Sequence, residues 1–398
     1  MHSLDLVILA GGKGSRIKSL LKKKSKPMAI FNRKPFLEYI IQSYSKYRFK
    51  NIFVLTGYRS SDIFNKFQNK HYNCTPITCL KEKKPMGTAG ALNVLKRKRI
   101  NDFILINGDT FLEVDLNKLV KSCSKNSYGS LTLVKNKSYK SNKKLTSIGI
   151  KNNKIIYQKK SNYMNGGVYF FKKNILNLIK NKNTSLENEI FPALIKKRKI
   201  SGLLVKKFFL DIGTPKNFSK AKNLLLKNCT KQAAFLDRDG VINYDTGYVH
   251  KIKDFKFRPG VIAGLKLLRN KNYYIFIITN QSGIGRGIYS KSQFYKLQND
   301  LKERLQKKNV FFDDINFCPY HPDAKIKKYR KTSSLRKPGN LMVRQIKERW
   351  HIKQKKSFMI GDQIVDKICA ERSKLYFEFA KENFYHQIKK ITKKFNSY

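Results

Sequence analysis

Short runs of apolar and β-branched residues, each ending in a polar cluster and followed by an amphipathic stretch, recur along the whole chain, and this alternation sets the fold class. Residues 5–10 (DLVILA) read as a first strand, followed by a helix from Pro35 to about Tyr47 and a strand over 52–55 (IFVL). The rhythm continues through strands at 103–107 (FILIN) and 166–171 (GGVYFF) and a helix from Pro215 to about Lys227. The polar segment 227–232 (KNCTKQ) reads as a linker. After it the alternation starts afresh, with strands at 233–237 (AAFLD), 275–279 (IFIIT) and 357–360 (SFMI) and helices at 260–270 and 291–307. A chain of 398 residues patterned in this way predicts two domains, 1–228 and 232–398, each an α/β Rossmann-like fold with a mostly parallel sheet. Open sheets of this kind bind ligands beyond the carboxyl ends of their strands, so each domain should carry its own site.

Charge would suggest a different class of partner. With 85 Lys and Arg against 26 Asp and Glu, the formal net charge is +59, a value that alone points to nucleic acid or an acidic surface. The lysines are spread over nearly every segment of both halves and no nucleic-acid-binding signature accompanies them, so specific nucleic-acid recognition is not expected. Phosphorylated small molecules would still feel the field. No window approaches the roughly 20 unbroken apolar residues of a membrane span. The first residues, MHSLDLVILAGG, lack a basic region ahead of their apolar run, so a signal peptide is not expected and the protein is placed in the cytoplasm. Six cysteines without CxxC pairing fit reduced thiols.

The first strand runs into Gly11, Gly12, Lys13, Gly14, Ser15 and Arg16. Glycines at such a turn let backbone N–H groups approach phosphate oxygens, and Arg16 adds charge. A glycine-rich turn alone could be a strand-to-helix connection. Here it is followed by Lys26 and Pro27, by GTAGAL at Gly87 to Leu92, NGDT at Asn107 to Thr110, NGG at Asn165 to Gly167 and DIGTP at Asp211 to Pro215.

This ordered series resembles the sugar-1-phosphate nucleotidyltransferases across residues 1–228. The stretches NGDTFLEVDL, MNGGVYFF, SLENEIFP and FFLDIGTP look most like the heptose 1-phosphate guanylyltransferases. The resemblance implies that Gly11, Gly12, Gly14 and Arg16 cradle a nucleoside triphosphate, that Lys26 stabilises charge at the α-phosphate, and that Gly87 lies beside the base and ribose. It implies that Asp109 and Asp211 jointly hold Mg, a cation that prefers carboxylate and phosphate oxygens. Gly166 and Glu187 would contact the sugar and Lys159 its phosphate; Gln158 stands where the family often has an acid. Read structurally, Gly166 and Glu187 could simply be a strand-start glycine and a helix N-terminal acid.

In the second half, the strand AAFL ends in Asp237, Arg238, Asp239 and Gly240. Two carboxylates one residue apart project to the same side of an extended strand. Such a pair can divide the work of nucleophile and general acid/base. Thr279 and Asn280 follow the next strand, Arg336 and Lys337 precede Pro338, and Gly361 and Asp362 follow SFMI, with Asp366 a helical turn on.

The order is that of the haloacid-dehalogenase-type phosphatases. DRDGVIN, GYV at Gly247 to Val249 and TNQSGIGRG at Thr279 to Gly287 resemble the heptose bisphosphate phosphatases that remove the 7-phosphate. The resemblance implies Asp237 as nucleophile, Asp239 as acid/base, Thr279 and Asn280 on the phosphoryl oxygens, Lys337 neutralising charge, and Arg286 and Arg336 on substrate phosphate. Mg would be held by Asp237, Asp362 and the Asp239 carbonyl, with Asp366 orienting without ligating. Many of these phosphatases bind a loop zinc through Cys-x-His and a later Cys-x-Cys. Here Cys318 is followed by Pro319, Tyr320 and His321, and KKYRKTSSLRKPG holds no cysteine, so no zinc is expected. Gln363 stands where relatives commonly carry a lysine.

The two resemblances fit one route: dephosphorylation of D-glycero-D-manno-heptose 1,7-bisphosphate gives the heptose 1-phosphate that the nucleotidyltransferase would activate, with GTP favoured over ATP, for surface polysaccharide. Two other readings stay open. One is a hexose 1-phosphate transferase fused to a histidinol-phosphatase-like enzyme; the other is a basic binding protein with relic sites. Any association with DNA or RNA is expected to be indifferent to sequence and to fall steeply with added salt in a filter-binding titration. A sequence-selective complex that persists at physiological salt would contradict the reading of the charge.

Overall fold

The computed structural model describes residues 4–12, 14–21, 24–135, 147–158, 161–180 and 183–396. The chain forms two compact units: Met1–Ser43, Phe49–His71 and Pro76–Leu224 make up the first, and Tyr44–Arg48, Tyr72–Thr75 and Leu225–Tyr398 the second. No helix among the described residues is long and apolar enough to cross a membrane.

The first unit is built on a sheet in which ten described strands are ordered Ser147–Lys151, Lys154–Gln158, Ile200–Val205, Gly129–Lys135, Tyr163–Phe171, Phe103–Asn107, Leu4–Ala10, Phe49–Thr56, Thr75–Lys81 and His71–Tyr72. The strands from Phe103–Asn107 to Thr75–Lys81 run parallel, and Tyr163–Phe171 is antiparallel to both of its neighbours. Leu6, Val7 and Ile8 are all fully buried, as a parallel strand covered on both faces requires. A separate two-stranded ribbon pairs Phe209–Asp211 with Thr110–Leu112, placing Asp211 opposite Thr110. The ribbon thereby brings together the NGDT and DIGTP motifs, a hundred residues apart in sequence.

The second unit holds a five-stranded, wholly parallel sheet ordered Asp314–Cys318, Tyr274–Asn280, Ala233–Leu236, Phe358–Gly361, Tyr376–Phe379. Successive residues feed opposite layers. Ala234 and Leu236 join Leu265, Leu297, Leu301 and Ile388 of the helices Val261–Asn270, Lys291–Gln306 and Phe384–Asn396. Ala233 and Phe235 join Met342, Ile346 and Cys369 of the helices Leu341–Arg349 and Ile364–Arg372 on the other face. The expected linker is shorter than the polar segment suggests, because the helix Pro215–Cys229 continues through its first three residues and buries Cys229.

One buried acid ties the first sheet together at its base. Asp5 is fully buried. One carboxylate oxygen accepts from the Asn51 backbone and side-chain N–H groups at 3.0 Å each. The other accepts from Asn101 N at 2.8 Å and Asn101 Nδ2 at 3.2 Å. Asp5→Ala would leave these donors without an acceptor, and a cost of about 2–4 kcal/mol is expected in denaturant unfolding. An unchanged midpoint would contradict this role.

Two candidate active sites

In the first unit the strand Leu4–Ala10 delivers Gly11 and Gly12 to the mouth of a cleft of about 560 Å³. Lys26, Pro27, Gly57, Tyr58, Gly87, Thr88 and Asp109 also line it. Lys26 is buried and its Nζ lies 2.7 Å from Asp109 Oδ2. A Cβ on Gly213 would lie within 3.5 Å of Asp211 Oδ1, Arg16 Nη2 and Lys26 Nζ, so two cations and the carboxylates of Asp109 and Asp211 surround one backbone turn. Burial pushes the Asp211 carboxyl above the ordinary carboxylate range, and the Asp109 charge pushes it further. Two carboxylates that repel each other in this way fit a divalent cation, which would relieve the repulsion.

Gly87 adopts φ +74°, and a Cβ there would come within 2.5 Å of the Thr184 carbonyl oxygen. The segment 184–187 therefore packs directly on the glycine loop. Glu187 is exposed and accepts from Thr88 Oγ1 at 2.7 Å. Gly166 is buried with Thr132 Oγ1 and Leu112 against its Cα, and Asn165 accepts from Gly167 N at 2.9 Å. Gly14 takes a positive φ beside Leu21 and Lys26, whereas Gly12 faces open space. Lys159 lies outside the described residues.

Sequence reasoning passed over Glu82. Its carboxyl lines the cleft against Gly11, where a Cβ would run into it, and within 3.3 Å of a Cβ on Gly57, and it accepts from Met86 N at 3.4 Å. Burial raises its carboxyl above the ordinary range, and the Met86 N–H works against that shift. The available signal was a single acid inside a run of lysines, Lys81, Lys83 and Lys84.

In the second unit Asp237 follows the central strand, its N–H donating to Ile360 O at 3.0 Å. Lys337 is buried, and its Nζ lies 2.8 Å from Asp237 Oδ2 and 2.5 Å from Asp366 Oδ1. Burial works against the Lys337 charge, but Asp237 and Asp366 more than offset it and hold the ammonium well above the usual lysine range. Burial pushes Asp237 up to about 7 and Asp366 adds to the shift, with Lys337 opposing it. Asp362 is raised by burial and by Asp366. Ligand oxygens of Asp237, Asp362 and Asp366 lie within 4.8 Å of one another. Three carboxylates against one lysine leave negative charge uncompensated, and an all-oxygen donor set suits a hard divalent cation.

Asp239 points elsewhere than the alternation of an extended strand implies, because the strand ends at Leu236. Arg238, itself buried, grips both Asp239 oxygens at 2.7–3.1 Å and anchors to Val249 O at 2.9 Å. Asn243 Nδ2 and Gln281 Nε2 also donate to Asp239, at 2.9 and 3.0 Å. Its carboxylate is thus occupied outside the three-acid group. Gln281 donates as well to Thr279 Oγ1 at 2.9 Å, joining the expected acid/base to one of the two expected phosphoryl ligands. The Asn280 amide clamps the Lys337 backbone, accepting from its N–H at 3.0 Å and donating to its carbonyl at 3.2 Å. Asp366 accepts from Gln363 N at 3.0 Å as well as holding Lys337.

Arg286 Nη2 lies 3.5 Å from His321 Nε2. Burial lowers the His321 pKa, and the charges of Arg336 and Arg286 lower it further. Arg286 Nε and Arg336 Nη1 are buried without a hydrogen-bond partner among the described residues. Cys318 is buried at the start of the loop, and His321 Nδ1 accepts from Asp323 N at 3.1 Å.

A cleft with paired acids and cations, and an aspartate–lysine centre at the end of a parallel sheet, fit a two-domain enzyme that joins a nucleotidyltransferase to a phosphatase. Residues 6–228 match the nucleotidyl transferase family model and residues 233–394 the polynucleotide kinase 3 phosphatase model. A D-glycero-beta-D-manno-heptose-1,7-bisphosphate 7-phosphatase of Photorhabdus laumondii is 43% identical over 143 residues, covering 36% of this chain and 76% of that protein. The enzyme of the same description from Escherichia coli K12 is 39% identical over 138 residues, covering 35% and 72%. The crystal structure of HddC from Yersinia pseudotuberculosis is 27% identical, covers 55% of this chain and 98% of that one, and superposes with a TM-score of 0.46. The chain belongs to the nucleotidyl transferase family through its N-terminal part and to the heptose-1,7-bisphosphate 7-phosphatase family through its C-terminal part.

Lys337→Met would leave Asp237 and Asp366 buried without their shared cation. It is expected to destabilise the second unit by about 3–5 kcal/mol in EDTA, with part of the loss recovered when a divalent cation is added, in thermal melts. Equal melting of variant and parent in EDTA would contradict the ion-pair assignment.

Proposed function

We propose that this chain removes the 7-phosphate from D-glycero-D-manno-heptose 1,7-bisphosphate and transfers GMP from GTP to the resulting heptose 1-phosphate. One observation carries the reading: an aspartate centre of the heptose-bisphosphate phosphatase family and a nucleotidyltransferase cleft share one polypeptide, and the product of the first is a chemically suitable acceptor for the second.

At the phosphatase centre an Asp237 oxygen attacks the phosphorus of the 7-phosphate and the bond from phosphorus to the sugar oxygen breaks. Asp239, turning from its Arg238 clamp, gives the leaving oxygen a proton. It then takes one from the water that attacks the aspartyl phosphate, releasing inorganic phosphate and restoring Asp237. Thr279 and the Asn280 backbone bind phosphoryl oxygens, Lys337 meets the developing negative charge, and Arg286 with Arg336 receives the remaining phosphate. Asp237, Asp362 and the Asp239 carbonyl would hold Mg, with Asp366 close by; when bound, that ion neutralises charge on the transferring group.

In the cleft an oxygen of the sugar 1-phosphate attacks the α-phosphorus and pyrophosphate leaves. Gly11, Gly12, Gly14 and Arg16 hold the triphosphate, and Lys26 moves its charge from Asp109 towards the α-phosphate. Asp109 and Asp211 would hold the second Mg, and Glu187, Gly166 and Lys159 engage the sugar and its phosphate.

Glu82 favours guanine over adenine. An ionised carboxylate only accepts, which suits the adjacent N1–H and N2–H donors of guanine, whereas the same edge of adenine presents an acceptor at N1. Because its pKa is raised, Glu82 loses this property on acidification sooner than an ordinary glutamate would. The GTP KM should therefore rise as pH falls through the upper carboxylate range.

The test supplies purified protein with the heptose bisphosphate, Mg and each nucleoside triphosphate in turn, and follows phosphate, pyrophosphate and nucleotide sugar by mass spectrometry. GDP-heptose is the expected main product, and Glu82→Gln is expected to cut kcat/KM for GTP tenfold or more while sparing ATP. Absence of phosphate release, or equal use of ATP and GTP, would overturn the respective half of the reading.

A further inference from the structure

Thr88 follows directly on Gly87 in the loop given to the base and ribose, yet its side chain turns to Glu187. Its hydroxyl donates to Glu187 Oε2 at 2.7 Å and accepts from the Leu186 N–H at 2.8 Å. Ser185 Oγ also reaches Glu187 Oε2, at 3.2 Å. The backbones are bonded in register: Ala89 N and Gly90 N donate to Thr184 O at 2.9 and 3.1 Å, and Thr184 N donates to Met86 O at 2.9 Å. The Gly87 Cα is pressed against the same carbonyl, with no room for a side chain. Glycine loop and acid loop therefore form one bonded unit, and the Thr88 hydroxyl is a side-chain link between them.

We propose that Thr88 is a positioning residue that couples the two substrates of nucleotidyl transfer, so that nucleotide bound against Gly87 fixes Glu187 in the orientation that receives the sugar hydroxyls. The proposal rests on the sugar-contact role given to Glu187 above. The physical route is short. Glu187 is exposed, and a free glutamate there would sample several rotamers and lose that freedom on binding sugar. A nucleotide that orders residues 86–90 also orders the hydroxyl donating to Glu187, so part of the ordering cost is met before the sugar arrives. Linkage makes the effect reciprocal: sugar phosphate must tighten nucleotide binding by the same factor.

Calorimetric titration of the full chain with heptose 1-phosphate, with and without a saturating non-hydrolysable GTP analogue, measures the coupling. The parent chain is expected to bind the sugar phosphate several-fold more tightly when the analogue is present. Thr88→Val removes the hydroxyl with little change of shape. It should erase that gain and weaken the sugar phosphate about as much as Glu187→Gln does, with analogue affinity alone within about twofold of the parent. Thr88→Ser should restore the coupling, and adding Thr88→Val to Glu187→Gln should cost nothing further. The proposal falls if the parent shows no coupling, if Thr88→Val retains it, or if Thr88→Val weakens the analogue as much as the sugar phosphate. Failure of the functional reading is separate: a parent chain that turns over another sugar 1-phosphate identifies itself in the product assay, and the coupling is then read with that sugar.

Discussion

A buried lysine held against a strand-end carboxylate is the interaction on which both centres depend. Lys26 meets Asp109 at 2.7 Å in one unit and Lys337 meets Asp237 at 2.8 Å in the other. In each case the lysine is buried and further acids lie close by: Asp211 in the first, Asp362 and Asp366 in the second. Carboxylates assembled this closely repel one another, and a single ammonium offsets only part of that. A hard cation would take up the excess negative charge at such a site and leave the lysine able to meet a phosphate.

The scaffolds explain how these groups come to be adjacent. In each unit parallel strands carry their carboxyl ends to one edge of their own sheet, so the residues past Ala10 and Asn107 gather in the first unit, and those at the ends of Ala233–Leu236, Tyr274–Asn280 and Phe358–Gly361 in the second, whatever their separation in sequence. In the first unit the two-stranded ribbon that pairs Thr110 with Asp211 adds the second acid. In the second, Asn280 fixes the Lys337 backbone and Asp366 its side chain, so a loop residue is held as firmly as one on a strand. Rigid placement of charge is what phosphoryl and nucleotidyl transfer ask of a protein, because neither reaction needs elaborate covalent chemistry from it.

The central strands, the longer helices and the motif positions were legible because each is a local pattern of apolar runs, helical periodicity or glycine at turns, whereas outer strands such as Ser147–Lys151, Ile200–Val205 and Tyr376–Phe379 were not read from the sequence. Orientation was less so. The Asp-x-Asp spacing suggests two carboxylates side by side, but with the strand ending at Leu236, Arg238 can fold back and claim Asp239. Nor does the sequence show that the Asn280 amide is committed to the Lys337 backbone, which leaves its main chain to face a phosphoryl group. Glu82 and Thr88 escaped notice because their meaning lies in contacts with Gly11, Gly57 and Glu187, none of which spacing along the chain encodes. The lysine excess, by contrast, dominates the composition while few lysines enter either centre.

If one chain performs two successive reactions at separate centres, each reaction can be removed without the other. Asp237→Asn, which removes the nucleophile's charge with almost no change of volume, tests it most directly when nucleotide-sugar formation is measured with each acceptor in turn. The variant should form no nucleotide-heptose from heptose 1,7-bisphosphate and should form it at the parent rate from heptose 1-phosphate. Loss of both reactions in a variant that remains folded would contradict the claim.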